Sequence, residues 1–225
     1  MCRPASFVMT ESNVYWSKST DSHEDIIKEF SLVDAEPIRL LRVEIVPEDG
    51  DLRTPVEKWK FRVDQDLIPH WYDADKDGAE ARCRAELAKW HGMKIIIDRT
   101  AVVTGNAWVY GSSHVEARGS SHVEARGSSH VEAWGSSHVV AWGSSHVEAW
   151  ESSSVVAWES SSVVAWESSH VEAWESSSVV AWESSNILCY GGKYELHDTA
   201  ACIDRSGPKV KMVTAKKPAK KRIKK

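Results

Sequence analysis

Between residues 111 and 190 the chain alternates small and variable residues in a unit of eight residues that occurs ten times in succession. The first unit reads GSSHVEAR and the ninth reads ESSSVVAW. A short, fixed period of this kind is typical of stacked repeats in which each unit contacts only its neighbours. The pattern therefore predicts a β-solenoid over these residues.

The alternation within the octad indicates which side chains face inward. If Gly111 is position one, then positions three, five and seven are small and nearly invariant, as in Ser113, Val115 and Ala117, whereas positions four, six and eight vary. Successive residues of a strand point to opposite faces, so we expect the small set inside and the variable set outside. The predicted core row at position five is Val115, Val123, Val131, Val139, Val147, Val155, Val163, Val171, Val179 and Ile187.

The number of octads in one coil is left open by the sequence. One octad would give a very narrow tube, two a flattened coil and three a triangular prism. We favour two, because a strand of roughly five residues and a short turn use one octad completely. Position one is Gly as far as Gly143 and Glu from Glu151 to Glu183. Since this position accepts Glu, we do not expect it to require a positive φ.

The flanking residues predict a small α+β head and a short bridge into the solenoid. We expect head strands at 5–9, 14–17, 38–46 and 59–63, and helices at 23–30 and 73–91, with Gly92 ending the second helix. The bridge divides into IIIDRT, AVVTGN and AWVYGS, between Ile95 and Ser112. These pieces resemble the hexapeptide repeats of left-handed β-helices, which implies that the solenoid starts here.

The predicted fold class is mainly β, a thin β-solenoid of octapeptide repeats with a small N-terminal α+β head domain and a disordered basic tail. The predicted domains are the head (1–92), the solenoid (93–190), a C-terminal cap (191–208) and the tail (209–225). Nine of the 28 basic residues and none of the 33 acidic ones follow residue 208, so the rest of the chain carries 19 against 33, a net charge of −14. An acidic body with a basic tail suggests an anionic partner for the tail, or docking of the tail on the body.

The outward positions supply the candidate binding residues. Tryptophan at position eight should stack at the strand spacing into aromatic ladders, and histidine at position four recurs with Glu at position six. The predicted binding surface is Trp134, Trp142, Trp150, Trp158, Trp166, Trp174, Trp182, His114, His122, His130, His138, His146 and His170. Two readings of the His and Glu residues stay open, a divalent metal array and a solvated face of cross-strand pairs, and we favour the second and predict no metal and no cofactor.

Two further groups offer chemistry outside the repeats. Cys2 would become the N-terminal residue after removal of Met1, and a freed amine and thiol on one residue can act together as base and nucleophile. The basic tail matches nucleic-acid phosphates or another polyanion by charge alone, through Lys216, Lys217, Lys220, Lys221, Arg222, Lys224 and Lys225. Asp73, Asp75 and Asp77 resemble half of a calcium loop, but Arg84 stands where the loop needs a Glu, so a helix start is the preferred interpretation.

The N-terminal residues, the apolar stretches and the cysteine spacing also indicate a cellular location. The first residues lack a long apolar signal core, no stretch approaches the length of a membrane span, and the four cysteines show no CxxC pairing. We therefore expect reduced thiols and a cytosolic location, with no membrane partner. Exposed Trp rows make self-association a further expectation.

The opening MCRPASFVMTESNVYWSKSTDSHEDIIKEF, VDQD at 63–66 and WYDA at 71–74 resemble uncharacterised proteins of phages and phage-bearing bacteria. Those proteins similarly place a short α+β head before octapeptide arrays. The resemblance implies a β-solenoid and a phage or mobile-element origin, and with it a location in the cytoplasm of a bacterial host or in a virion. It implies no catalytic residue. The leading hypothesis is a non-enzymatic structural or binding protein. The alternatives are an N-terminal-nucleophile cysteine hydrolase in the head, with Cys2 as the nucleophile, and nucleic-acid binding by the tail.

Overall fold

The computed structural model describes residues 5–33 and 39–215. The chain divides into two compact units, Met1–Ile95 and Ile96–Lys225. The fold is mainly β, with an α+β head before a β-solenoid, as the sequence predicts. Each unit has a hydrophobic core of its own.

The head is built on a four-stranded antiparallel sheet in the order β2-β1-β3-β4. In the described part of the head, three helices and one 3₁₀ turn at Val56–Lys58 accompany this sheet. Its strands are β1 (Ser6–Met9), β2 (Val14–Tyr15), β3 (Leu41–Val46) and β4 (Lys60–Val63), and its helices are α1 (His23–Glu29), α2 (His70–Ala74) and α3 (Lys76–Lys94).

Helix α3 has the predicted length but lies three residues further along the chain, at Lys76–Lys94 instead of 73–91. It begins after Asp75, whose carboxylate accepts a hydrogen bond from the Gly78 N–H, so the Asp-rich segment forms a helix cap. The prediction that Gly92 ends the helix is wrong. Helical hydrogen bonding continues to Lys94, whose buried ammonium lies 3.5 Å from the carboxylate of Asp21. This ion pair joins the last turn of α3 to the segment just before α1.

The solenoid consists of two sheets whose strands alternate along the chain. Even-numbered strands form a seven-stranded sheet from β6 to β18, and odd-numbered strands together with β20 form a nine-stranded sheet from β5 to β20. The strands are β5 (Ile95–Ile97), β6 (Thr100–Val103), β7 (Asn106–Tyr110), β8 (His114–Ala117), β9 (His122–Ala125), β10 (His130–Ala133), β11 (His138–Ala141), β12 (His146–Ala149), β13 (Ser154–Ala157), β14 (Ser162–Ala165), β15 (His170–Ala173), β16 (Ser178–Ala181), β17 (Asn186–Cys189), β18 (Lys193–Leu196), β19 (Ala201–Asp204) and β20 (Lys211–Thr214).

Two octads make one coil. From β8 to β17 each strand residue pairs in parallel with the residue sixteen positions later, as His130 does with His146 and Val131 with Val147. The favoured two-octad arrangement is therefore confirmed, and the coils number about seven. The bridge follows the same plan, because β6 pairs with β8 and β7 pairs with β9, so its six-residue pieces alternate between the same two sheets.

The interior contains the three small positions that the sequence predicts. The predicted row of position five is buried from Val115 to Ile187, and the Ala residues of position seven are buried beside it. The serines of position three are buried as well. Most of them donate to the carbonyl three residues earlier, as Ser153 does to Trp150 (2.7 Å), and this bond offsets the cost of burying a hydroxyl.

The turns contradict one prediction from the sequence. Position one has a positive φ in every octad, from 69° to 87° at the five glycines and from 55° to 60° at Glu151, Glu159, Glu167, Glu175 and Glu183. A side chain at such a residue costs free energy, since the left-handed region is disfavoured by roughly 1–2 kcal/mol for residues with a Cβ. The prediction that position one does not require a positive φ is therefore wrong. The hydrogen-bonded strands on either side of the turn impose this conformation even where the residue is Glu.

The C-terminal residues extend the solenoid beyond the octads. Strands β18 and β19, which lie within the predicted cap, pair in parallel with β16 and β17. Residues 211–214 form β20, antiparallel to β19, so the prediction of disorder is wrong for this part of the tail. Pairing with β20 satisfies the backbone groups that β19 would otherwise leave open at a sheet edge.

Candidate binding surface of the solenoid

The position-eight aromatic residues form two stacked rows on the outside of the solenoid. The first row is Trp134, Trp150, Trp166 and Trp182 and ends on His197, and the second is Trp142, Trp158 and Trp174 and ends on Tyr190. Neighbouring indoles lie 4.9–5.3 Å apart between ring centroids and are within 12° of parallel. The rows follow directly from the sixteen-residue register, which places equivalent positions one above another.

Stacking has a consequence for recognition. Inside a row each indole face is covered by the next ring, so only the ring edges meet solvent. The first ring of a row is different, because position eight of the preceding coil is not aromatic. In the coil before Trp134 this position is Arg118. Its guanidinium forms an ion pair with Glu116, in which Nη2 and Oε2 are 2.6 Å apart. Trp134 is accordingly 36% exposed.

A cleft lies at this end of the first Trp row, which we call the Trp134 cleft. Three carboxylates and one guanidinium give it a negative balance of charge, and its glycines leave room beside the indole. Its lining residues are Glu116, Arg118, Gly119, Glu132, Trp134, Gly135 and Glu151. What fits such a cleft is a cation that stacks on the indole and pairs with a carboxylate.

The repeat generates a second, weaker copy of this cleft eight residues further along. It is lined by Arg126, Gly127, Trp142, Gly143 and Glu159. Its one lining carboxylate is already engaged, because Glu159 accepts a hydrogen bond from the Gly143 N–H at 2.8 Å. The Trp134 cleft therefore offers the stronger site for a cation.

The turn glutamates extend the acidic surface beyond the Trp134 cleft. They form one row of Glu151, Glu167 and Glu183 and another of Glu159 and Glu175, all exposed. Among the described residues none of the five carboxylates takes part in an ion pair. Like charges in register repel one another, so these rows reduce the stability of the solenoid while they raise the negative potential along its edges.

The histidines of position four also stack, but only along part of each sheet. His114, His130 and His146 form one row, with centroids 4.6 and 4.9 Å apart, and His122 and His138 form a pair at 4.9 Å. The remaining predicted surface histidine, His170, stands apart from these rows, between Ser154 and Asn186.

Burial, followed by repulsion from charged neighbours, lowers the pKa values of two of these histidines. At His130 the neighbouring imidazoles of His146 and His114 add to the effect of burial. At His138 the neighbouring group is His122. The neutral imidazole is therefore favoured in both places at neutral pH.

Sequence reasoning missed two features of this surface. It did not separate the first ring of each row from the others, and it did not place His114, His130 and Glu132 together. The ligand atoms of these three residues lie within 4.8 Å of one another. The signal that would have found both is the sixteen-residue pairing distance, once two octads are assigned to a coil.

The other candidate groups do not join this surface. Cys2 and the tail residues Lys216–Lys225 lie outside the described residues, so the hydrolase and nucleic-acid hypotheses stay predictions. Cys83, Cys189 and Cys202 are buried free thiols. Burial raises the pKa of each of them, that of Cys202 to about 12, so they are poor nucleophiles at neutral pH.

No protein-family model, curated protein or solved structure matches this chain. The phage or mobile-element origin and the location implied by the sequence therefore stay predictions. Across residues 5–33 and 39–215, no helix combines the length and the apolar character that a membrane crossing requires.

Proposed function

We propose that the chain is a non-enzymatic binding scaffold whose solenoid presents the Trp134 cleft and the glutamate rows to an arginine- or lysine-rich segment of a partner protein. The observation that carries the proposal is the Trp134 cleft, where an exposed indole is surrounded by three carboxylates and one guanidinium. The setting we propose is a phage or another mobile element, which rests on the sequence resemblance alone.

The chemistry of the cleft favours a cationic side chain. A guanidinium over an indole face contributes about 0.5–1 kcal/mol at an exposed site and about 2 kcal/mol when water is excluded. Glu151 has no ion pair in the described part of the chain, so its carboxylate is available to a cation on the ring. Arg118 does not compete for the ring, because its guanidinium is engaged by Glu116.

The architecture suits display better than catalysis. The position-three, -five and -seven side chains fill the space between the two sheets, so the variable chemistry of the octad lies on the outside. The parallel ladder fixes each outward side chain at one strand spacing from its equivalent, about 4.8 Å. A surface with this repeat can engage several cations of one segment, which raises the overall affinity through multiple weak contacts.

The test is titration of the full-length protein with fluorescein-labelled hexa-arginine at low salt, followed by fluorescence anisotropy. The informative variants are Glu151→Gly, which removes a carboxylate of the Trp134 cleft, and Trp134→Arg, which places at this position the residue that other octads carry there. The matched control is Glu175→Gly, an identical change at a turn outside both clefts. Both glycine variants should fold, because Gly occupies the same positive-φ position in five octads.

We expect Glu151→Gly to weaken binding at least fivefold, Trp134→Arg to abolish it and Glu175→Gly to change it less than twofold. The fivefold loss corresponds to about 1 kcal/mol, the size of one exposed cation contact. Equal losses in the two glycine variants would mean that the peptide binds to the acidic surface in general. That result, or absence of binding by the unchanged protein, would overturn the proposal.

A further inference from the structure

The outer face of strands β8, β10 and β12 carries a regular grid of histidine and glutamate. In this part of the seven-stranded sheet, His114, His130 and His146 are in register, and so are the glutamates two residues after each of them. Beyond β12 the grid ends, since Ser162 and Val164 occupy the equivalent positions on β14. The grid thus combines metal-ligating side chains on three adjacent strands.

Within the grid, three ligand atoms converge. Those of His114, His130 and Glu132 all lie within 4.8 Å of one another, and His114 Nε2 is 3.4 Å from Glu132 Oε1. Two ligands of a tetrahedral zinc ion are about 3.3 Å apart, because zinc–nitrogen and zinc–oxygen bonds are about 2.0–2.2 Å long. One edge of the tetrahedron is therefore already formed. The His114 and His130 rings are stacked within 6° of parallel, so they would have to tilt toward each other for the other two edges to close.

The burial and the donor types of these three side chains favour metal binding. All three side chains are half-buried, so fewer waters compete for their ligand atoms than on an open surface. Two imidazoles and one carboxylate form a donor set typical of zinc sites that keep a fourth position for water.

We propose that His114, His130 and Glu132 form a binding site for a divalent transition-metal ion, zinc being the best fit to its ligands, with the fourth position open to solvent. The ion would join β8 to β10 and so connect two successive coils. The two sites share Glu132, which also lines the Trp134 cleft. The metal site depends on the histidines and not on the exposed indole, so it would stand even if the peptide did not bind.

The nine-stranded sheet supplies a control within the same molecule. There His122 and His138 stack at 4.9 Å, much like the first two histidines of the grid. However, Val140 occupies the position on β11 that Glu132 occupies on β10. Two histidines are therefore present without the carboxylate, and the substitution Val140→Glu should complete a second site.

The experiment is zinc titration of metal-free, full-length protein in competition with a chromophoric chelator, with cobalt absorption as a second signal. The variants Glu132→Val and His130→Ser use residues that other octads carry at positions six and four, so the fold should be retained, which circular dichroism checks. We expect each to lose one equivalent of bound zinc, or to bind it at least tenfold more weakly. We expect Val140→Glu to gain one equivalent.

Cobalt distinguishes this site from other ligands in the chain. A four-coordinate cobalt ion should give a visible d–d band in the unchanged protein, and this band should disappear in Glu132→Val. Zinc stoichiometry and affinity that are the same in the unchanged protein, Glu132→Val and His130→Ser would overturn the proposal, because any binding would then belong to other residues. Failure of Val140→Glu to bind an additional ion, with its fold intact, would also count against it.

Discussion

Serine at position three shows how one residue type can serve a thin core. Its side chain is small enough for the narrow space between two sheets, and its hydroxyl reaches a backbone carbonyl of the turn. In several octads it makes a second contact with the coil before, as Ser153 does with the Ala133 carbonyl at 2.9 Å. Ser177 departs from this arrangement, since its buried hydroxyl has no hydrogen-bond partner within residues 5–33 and 39–215.

This difference leads to a prediction at the scale of single residues. Ser153→Ala should destabilise the protein by about 0.5–1.5 kcal/mol, since a hydrogen bond is lost in the interior. Ser177→Ala should be neutral or slightly stabilising, because it removes an unpaired polar group. Urea unfolding of the two variants measures both changes, and equal effects on the free energy of unfolding would contradict the prediction.

At the scale of the strand and its neighbours, stability comes from pairing of identical residues. The thin core buries only small side chains, so the stacked indoles outside it contribute apolar contact that the interior cannot provide. The same register carries a cost at the turns. There the glutamates face like charges on the next coil and adopt a positive φ that glycine adopts more easily.

The number of stacked neighbours should determine the effect of removing a tryptophan. Trp166 stacks on Trp150 and Trp182, whereas Trp134 stacks on Trp150 alone in the part of the chain that the structure describes. We expect Trp166→Ala to cost about 0.5–1.5 kcal/mol more than Trp134→Ala, the value of one aromatic pair. Guanidinium unfolding compares the two variants. A larger cost for Trp134→Ala would show that stacking does not dominate the contribution of these rows.

At the scale of the whole molecule, the solenoid is a quasi-one-dimensional assembly. Each coil contacts the coils before and after it, so stability should change by similar increments as coils are added or removed. An insertion or deletion can therefore keep or destroy the pairing register between coils. The register is kept when the change in length is sixteen residues, the distance between paired residues.

Deletions test this directly. Removal of residues 143–158 takes out one complete coil and leaves every later octad on its original sheet, so we expect cooperative unfolding with a modest loss of stability. Removal of the four residues 155–158 places later strands against turns, and we expect a much lower melting temperature. Circular dichroism melting compares the two deletions. If the four-residue deletion were at least as stable, coil register would not control the fold.

The phase of the octad and its inward and outward faces were determined by the sequence alone, because alternation along a strand is a local property. Val115 and Trp134 could be assigned to opposite faces from their positions in the octad. The predicted start of helix α1 at His23 was equally local, since the Ser22 hydroxyl caps it by accepting a hydrogen bond from the Asp25 N–H three residues later. The end of α3 was not local, because the contact of Lys94 with Asp21 joins residues far apart in the chain.

Only the tertiary structure decided which octads become neighbours. Pairing at sixteen residues is a long-range choice, and it places His114 beside His130 and leaves Trp134 as the first ring of its row. It also imposes a positive φ on Glu151, against the preference of the residue itself. Because the octads are nearly identical, their local pattern is the same whether one, two or three of them make a coil. Which octads pair with each other is therefore decided only when the coils stack in the folded protein.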